Sequence, residues 1–538
     1  MAETFNLGNQ LAAQGRFKEA ADCYRQVLAV NPGLAEVHCN LGNALCDQGR
    51  LEQGLDAYRR ALELKPDFVA ACVNLANALL RLGDFAQARI HYQRALALEP
   101  DLADAQLALG SILTHLGERE EAIKLYRRAL RAKPDFVGAL VNLANVLVDE
   151  GRPAEALEMG SRARALRPEL PETHANVGRA LAALGRHADA DASFEKALSL
   201  NPNPVTAERV RFSRSLVKLL QGDYEAGWPL HESRFGEGGP AWAYKLLQQH
   251  VKQFPTARRW HGENPAGKTL VLWTDHGYGD SLMMLRYAKE LKTRGASKVI
   301  VYCEPALVRL VQASPHVDQA VSREQPAPRR FDWHCPFMSL PLAFGTRLQT
   351  IPREVPYLAV PGEMRRKWRE RLGELGPLRV GLSWAGSADN PNNASRSIRV
   401  AQLAELIGVQ RARFVSLQKG PPADELRSAS RPVADWMPEC TDFLDTAALV
   451  SELDLVVSVC TATAHLAGAL GKPVWLLLRH ESEWRWLLDR EDSVWYPTMK
   501  IFRQRQPGDW IEVVGRAARE LASRSLKNPL NDARRDVS

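Results

Sequence analysis

The chain has 538 residues, a formal net charge of +7, 45% hydrophobic residues and eight cysteines; this length suggests about three or four folded units rather than one core. The positive charge is not gathered into a long basic block, which argues against nucleic acid as a partner. The cysteines (Cys23, Cys39, Cys46, Cys72, Cys303, Cys335, Cys440, Cys460) contain no Cys-x-x-Cys pair, which argues against a metal site or a disulfide framework and fits a reducing cytoplasm. The first residues are not basic followed by apolar, and the most apolar segment, Leu453 to Leu478, is interrupted by Asp454, His465 and Lys472, so neither a signal peptide nor a membrane span is expected.

Pro32, Pro66, Pro100, Pro134, Pro168 and Pro202 stand 34 residues apart. Within each period Leu-Gly or a variant returns (Leu7-Gly8, Leu41-Gly42, Leu109-Gly110). A closing glycine follows (Gly15, Gly49, Gly83, Gly117, Gly151, Gly185), then a small residue, then an aromatic at Tyr24, Tyr58, Tyr92, Tyr126 and Phe194, with Gly160 the exception. The period and its chemistry resemble the tetratricopeptide repeat, so residues 1–204 are read as six helix pairs stacked into a superhelical solenoid. Asn40, Asn74, Asn142 and Asn176 recur in phase, with Asn6 and Gln106 in equivalent slots. Amides so placed are expected to bind an extended peptide backbone without reading its sequence. Gly222 to Trp228 reads as a degenerate seventh unit, and residues 205–265 as that unit plus a linker.

From about Thr269 short apolar runs alternate with helical patterns, the mark of parallel sheet units. Thr269–Trp273, Lys298–Tyr302 and Phe331–Cys335 are predicted strands of one Rossmann-like domain (266–362), with a helix over Ser281–Thr293. Strands at Arg379–Trp384, Phe414–Leu417, Leu455–Val459 and Pro473–Leu478 define a second such domain (375–525), followed by a tail (526–538). The fold class is therefore an α-helical repeat solenoid followed by α/β, with ligand expected between the carboxyl ends of the two sheets.

Four loops there carry candidate chemistry. In Asp275–Asp280, glycines allow close backbone approach, and Asp280, with His276 as competitor, is a candidate base. Cys460-Thr461-Ala462-Thr463-Ala464-His465 opens a helix of small residues, a ready diphosphate cradle. Trp384-Ala385-Gly386 leads through a polar segment to Arg396-Ser397, and Gln418-Lys419-Gly420 ends a strand. Arg396 and Lys419 are cations suited to a diphosphate.

Gly227-Trp228, Gly277 to Asp280, Trp384 to Gly386 with Arg396 to Ile398, Leu417 to Gly420, Asp445 to Ala448, Thr461 to Gly471, Trp484 to Trp486 and Trp495 to Pro497 occur in order. Together they resemble bacterial tetratricopeptide-repeat proteins whose second half is similar to the family 9 heptosyltransferases and the O-linked N-acetylglucosamine transferases, both of the GT-B fold. The resemblance implies a cytoplasmic, metal-independent, inverting glycosyltransferase with no cofactor beyond its nucleotide-sugar donor. Asp280 would be the general base, Arg396 and Lys419 would hold the donor diphosphate, and the backbone of Thr461 to Ala464 would cradle it. Trp384, Gly386, Ser397, Gln418, Cys460 and His465 complete the expected donor site. The acceptor would be a protein held by the repeats and modified on Ser or Thr, with flagellin the leading candidate. The family usually has Asp where Cys460 stands, and a commoner glutamine is replaced by His276. Cys460 keeps a second reading open, a repeat scaffold whose transferase half no longer turns over. A glycan-assembly transferase is a third, which would leave a peptide groove without a task.

Overall fold

The computed structural model describes residues 1–250, 253–376, 378–387, 393–429 and 431–523. The expected tail and the middle of the polar segment before Arg396 lie outside the described residues. Two compact units are present, Met1–Asn201 and a second that begins at Pro202.

In the first unit twelve helices form six antiparallel pairs, from Ala2–Ala13 with Phe17–Val30 to Pro171–Ala183 with His187–Ser199. Each first helix ends at its glycine with φ between +70° and +81°, a left-handed conformation that penalises any Cβ. The Leu-Gly positions have a different cause. A Cβ on Gly42 would meet the Tyr58 ring at 2.5 Å and one on Gly110 the Tyr126 ring at 2.6 Å, so the aromatic of the second helix seats directly on the backbone of the first.

The recurring asparagines occupy an unexpected place. Tyr24 Oη donates to Asn9 Oδ1 (2.8 Å), which also accepts Asn40 Nδ2 of the next repeat (3.1 Å). Tyr58, Asn43 and Asn74 repeat the arrangement at 2.7 and 2.9 Å. Asn142 Nδ2 donates to Ser111 Oγ (3.1 Å), and Asn176 Nδ2 to the Val141 carbonyl (2.9 Å). These amides therefore tie one repeat to the next through their N–H groups. That corrects the expectation of a freely presented peptide ladder. Asn176 (5% exposed) and Gln106 (0%) are buried, and Gln106 Nε2 caps the Pro100 carbonyl. Asn40, Asn74 and Asn142 are half-buried, each with a carbonyl oxygen as its remaining polar handle.

The second unit opens with the helix pair Pro204–Leu220 and Tyr224–His231. Leu219, Tyr224 and Trp228 enter a core shared with Trp484 and Trp495. Trp228 meets Trp484 edge-on at 5.2 Å, and Tyr224 stacks on Trp495 at 6.1 Å. The expected seventh helix pair thus packs within the second unit, because its apolar face has its partner there.

Two parallel sheets follow. The first contains β1 (Thr269–Trp273), β2 (Lys298–Cys303), β3 (Gln319–Ser322) and β4 (Trp333–Pro336) in the order β3-β2-β1-β4. The second contains β5 (Arg379–Ser383), β6 (Arg413–Ser416), β7 (Ala434–Asp435), β8 (Leu455–Val459), β9 (Val474–Leu478) and β10 (Met499–Arg503) in the order β10-β9-β8-β5-β6-β7. Central strands are buried on both faces, Leu270, Val271 and Leu272 at 0%, which is why they read as unbroken apolar runs. The edge strands β3, β7 and β10 are short or carry charges and escape that signal. In both sheets the strand order reverses beside the first strand, between β1 and β4 and between β5 and β8, the points where open α/β folds bind ligands.

The helix expected over Ser281–Thr293 is two, Tyr278–Met284 and Tyr287–Thr293. At the break, buried Arg286 donates to the carbonyls of Met283 (2.8 Å), Pro352 (2.7 Å) and Trp495 (2.7 Å), fastening the first sheet's helix to the second half. Among the described residues no helix is long and apolar enough to cross a membrane.

Candidate active site

The loop after β1 and the loop after β8 meet. Helix Tyr278–Met284 packs on helix Ala462–Ala469, and a Cβ on Gly279 would lie 2.7 Å from His465 Cδ2. Only glycine permits that approach. The cleft expected between the sheets is therefore filled at this point, and the side chains around it form one polar cluster.

Arg485, on the loop between β9 and β10, is its hub. Its Nε (2.7 Å) and Nη2 both donate to Asp280 Oδ1, and its Nη1 to Glu483 Oε2 (3.0 Å). The Asp280 side chain is 14% exposed. Burial alone would raise its proton affinity, but the Arg485 guanidinium outweighs burial and holds the carboxyl below the usual carboxylate range. His465 donates or accepts through Nδ1 with Tyr496 Oη (3.0 Å) and stacks on Trp486 at 5.2 Å. Burial pushes its pKa down to about 3, so it is neutral. His276 lies 3.7 Å from Asp275 Oδ2 and meets Trp242 edge-on at 4.5 Å.

Cys460 is 7% exposed. Its sulfur accepts from Trp486 Nε1 (3.2 Å) and lies 3.9 Å from Glu483 Oε2, and burial pushes its thiol up to about 12. A carboxylate thus stands beside the position where the sequence lacks one, supplied by Glu483. Thr461 precedes the helix, and its Oγ1 pairs with Ser458 Oγ (3.0 Å). Ala462 and Thr463 are half-exposed in its first turn, and Ala464 is buried.

Arg396 reaches this loop, donating to the Cys460 carbonyl (3.3 Å). It crosses Gly386, where a Cβ would meet its Nη2 at 2.3 Å; Ile398 N bonds the Trp384 carbonyl (2.8 Å) and Gly386 N the Ser397 Oγ (3.4 Å). Two motifs distant in sequence are one loop pair. Lys419 is exposed and its Nζ donates to the Cys440 carbonyl.

Two expected donor contacts become packing residues. The Trp384 ring is 1% exposed in the core between β5 and its helices. Gln418 Oε1 accepts the backbone N–H of Trp384 (3.1 Å) and Ala385 (2.9 Å), and its Nε2 donates to the Lys419 carbonyl (3.0 Å), so its amide shapes the β5 loop. Arg485 and Glu483 were absent from the sequence-based site. The Trp484-Arg-Trp486 motif marks them, but only the return of the chain after β9 places them on Asp280.

Below the cluster lies a largely buried charge network. Arg234, 0% exposed, donates to Asp275 Oδ2 (2.9 Å), Ser339 Oγ (2.7 Å) and Glu232 Oε1 (2.6 Å). Asp275 also accepts Met338 N (3.0 Å). Against its own burial, Arg234 and His276 keep Asp275 ionised far below the ordinary range. The network fixes the end of β1, and with it the loop that carries Asp280.

Comparison with known proteins agrees with the repeat reading. Tetratricopeptide repeat models match residues 5–67, 73–135, 116–171 and 171–204. Protein FlbA of Caulobacter vibrioides is 27% identical over 358 residues, 61% of this chain and 57% of that protein. The chain thus spans a little over half the length of this curated relative, and because 61% of 538 residues exceeds the 201 of the repeat unit, the likeness extends into the α/β unit. Among solved structures, YrrB, a TPR protein with an unusual peptide-binding site, is 23% identical, with 35% of this chain and 96% of that one covered and a TM-score of 0.32. A tetratricopeptide repeat protein from Parabacteroides merdae is 18% identical, with 47% and 97% covered and a TM-score of 0.38. Residues 5–67 and 73–204 are tetratricopeptide repeats, and an α/β unit with two parallel sheets follows them.

Proposed function

We propose that this protein is a GT-B glycosyltransferase that moves a sugar, with inversion, from a nucleotide-sugar to a Ser or Thr hydroxyl of a protein bound by its repeats, in the cytoplasm. The observation that carries the reading is the meeting of Asp280 with the Cys460–His465 loop, where the strand order of each sheet reverses. An acid–base group and a helix start suited to phosphate share one small site. In the reaction Asp280 takes the hydroxyl proton and the acceptor oxygen bonds to the anomeric carbon. The bond from that carbon to the donor phosphate breaks, its electron pair leaving with the phosphate. Arg396, Lys419 and the amides of residues 461–464 meet the charge that develops there. Arg485 must release Asp280 before the carboxylate accepts the proton.

The repeats support the acceptor half of the reading. A cavity of about 440 Å³, lined by Leu107, Ser111 and Asn142 among others, includes positions on two successive first helices, and the amide oxygens of half-buried Asn40, Asn74 and Asn142 are acceptors for a bound backbone's N–H groups. Flagellin is the acceptor proposed from the sequence resemblance. The test is co-expression with flagellin and intact-mass measurement. Added sugar mass with wild type and none with Asp280→Asn supports the reading, whereas unmodified flagellin with both removes that acceptor. Nucleotide release from a panel of nucleotide-sugars then tests transferase activity itself.

The closed contact of helices Tyr278–Met284 and Ala462–Ala469 favours one second reading, a repeat scaffold whose α/β unit binds a nucleotide without turning it over. Nucleotide binding with no release from any sugar donor selects it.

A further inference from the structure

A second cavity, of about 420 Å³, lies at the carboxyl ends of β9 and β10, on the opposite side of β8 from Gln418 and Lys419. Its size falls in the range of small-molecule sites. Ser395, Arg399, Arg479, His480 and Gln504 line it, with Trp510 as an apolar wall.

Three observations indicate what it takes. Arg479 donates through Nη1 to Ser395 Oγ (2.8 Å), and neither Arg479 nor Arg399 has a carboxylate partner among the described residues, although Glu481 borders the same cavity. Gln504 is 2% exposed, and its orientation is fixed. Its Oε1 accepts the backbone N–H of His480 (3.1 Å) and Gly508 (3.2 Å), which only an oxygen can do. Its Nε2 is therefore turned away from them, buried and without a partner. A buried donor in this position calls for an acceptor. Finally, the segment that supplies Ser395 also carries Arg396, whose guanidinium points to the Cys460 loop, so one short stretch separates this cavity from the proposed donor site.

We propose that this cavity is a separate binding site for a small oxyanion, a phosphate or a carboxylate group, held by Arg479 and Arg399 at its mouth and by the Gln504 amide at its base. The proposal does not depend on glycosyl transfer. Binding falls with ionic strength, since the cations are near the surface.

The test uses the full chain carrying Arg396→Ala and Lys419→Ala, so that the proposed donor site is disabled, titrated calorimetrically with inorganic pyrophosphate and, separately, with glucuronate. At least one probe binds, and adding Arg479→Ala weakens it tenfold or more, with a smaller loss from Arg399→Ala. The probe that binds tells phosphate from carboxylate. Gln504→Leu also weakens binding, but because Gln504 braces two backbone N–H groups, the surface variant Arg479→Ala decides. No binding of either probe, or affinities within twofold after Arg479→Ala, overturns the site. Failure of the donor reading appears elsewhere, as unchanged pyrophosphate affinity when Arg396 and Lys419 are replaced in a chain that already carries Arg479→Ala.

Discussion

The two units reach order by opposite routes. In residues 1–201 the contacts that define the fold join a helix pair to itself or to the next, and some return in the next period: a tyrosine to an asparagine 15 residues earlier, an asparagine to the repeat before it. In the second unit the defining contacts occur once and span long stretches of chain, as when Arg286 reaches Trp495, Arg234 reaches Asp275 and Arg485 reaches Asp280. A repeated local code spreads stability over many equal small parts. A unique long-range network concentrates it, and chemistry with it, in a few residues.

The largest effect expected from this contrast is catalytic. Asp280→Asn lowers sugar transfer by about 10²–10⁴-fold, the usual loss of a general base, while circular dichroism and the helical melting of the repeats stay unchanged. Wild-type turnover in this variant would move the base to His276.

Arg234→Ala comes next. It strands Asp275 in a dry interior, and removing one partner of a buried pair costs about 3–5 kcal/mol. Thermal unfolding should then separate into an early transition of the α/β unit and an unshifted one of the repeats. A single unshifted transition would show that the network is not what holds β1.

Gly42→Ala probes the other side of the comparison. The new Cβ meets the Tyr58 ring, an overpacking that costs about 1–3 kcal/mol, and because repeats couple to their neighbours the loss spreads along the array. Gly49→Ala, at φ +79°, costs about 1 kcal/mol. Hydrogen exchange localises both to the first unit; increased exchange in the α/β unit instead would overturn this expectation.

The smallest effect is a shift in pH dependence. With Arg485 in place the Asp280 carboxyl lies below its ordinary range, so it is ionised at neutral pH, and activity falls only as pH drops through that lowered value. Arg485→Gln removes the main charge that opposes burial and moves the acid limb of the pH–rate profile to higher pH. The same sign governs folding: the depressed carboxyls of Asp280 and Asp275 stabilise the native state above their unfolded pKa, and that stability is lost as pH falls through their native values. An acid limb unmoved by Arg485→Gln would separate Arg485 from the titrating group.

The six repeats were legible in the sequence because one spatial solution is written six times, and a glycine or proline at a fixed interval is visible without knowledge of its contacts. The central strands were legible because burial on both faces demands unbroken apolar runs. The Arg396 and Cys460 segments were legible as neighbours for a related reason: they follow β5 and β8, and topology places the ends of adjacent parallel strands together, whereas Asp280 follows β1 in the other sheet. The tertiary structure alone decided the rest. Nothing in a 34-residue period tells that Asn40 and Asn74 give their N–H groups to the preceding repeat, since whether an amide faces a neighbour or solvent depends on how repeats stack. Trp384 and Gln418 stand beside glycine loops in sequence, yet packing turns one into the core and the other onto the backbone. Arg485 and Glu483 come to Asp280 only after the chain has crossed both sheets and turned back from β9, and electrostatic partners separated by 205 residues have no local signature, because the Coulomb energy that joins them depends on distance in space and on burial, neither of which is written in the order of residues.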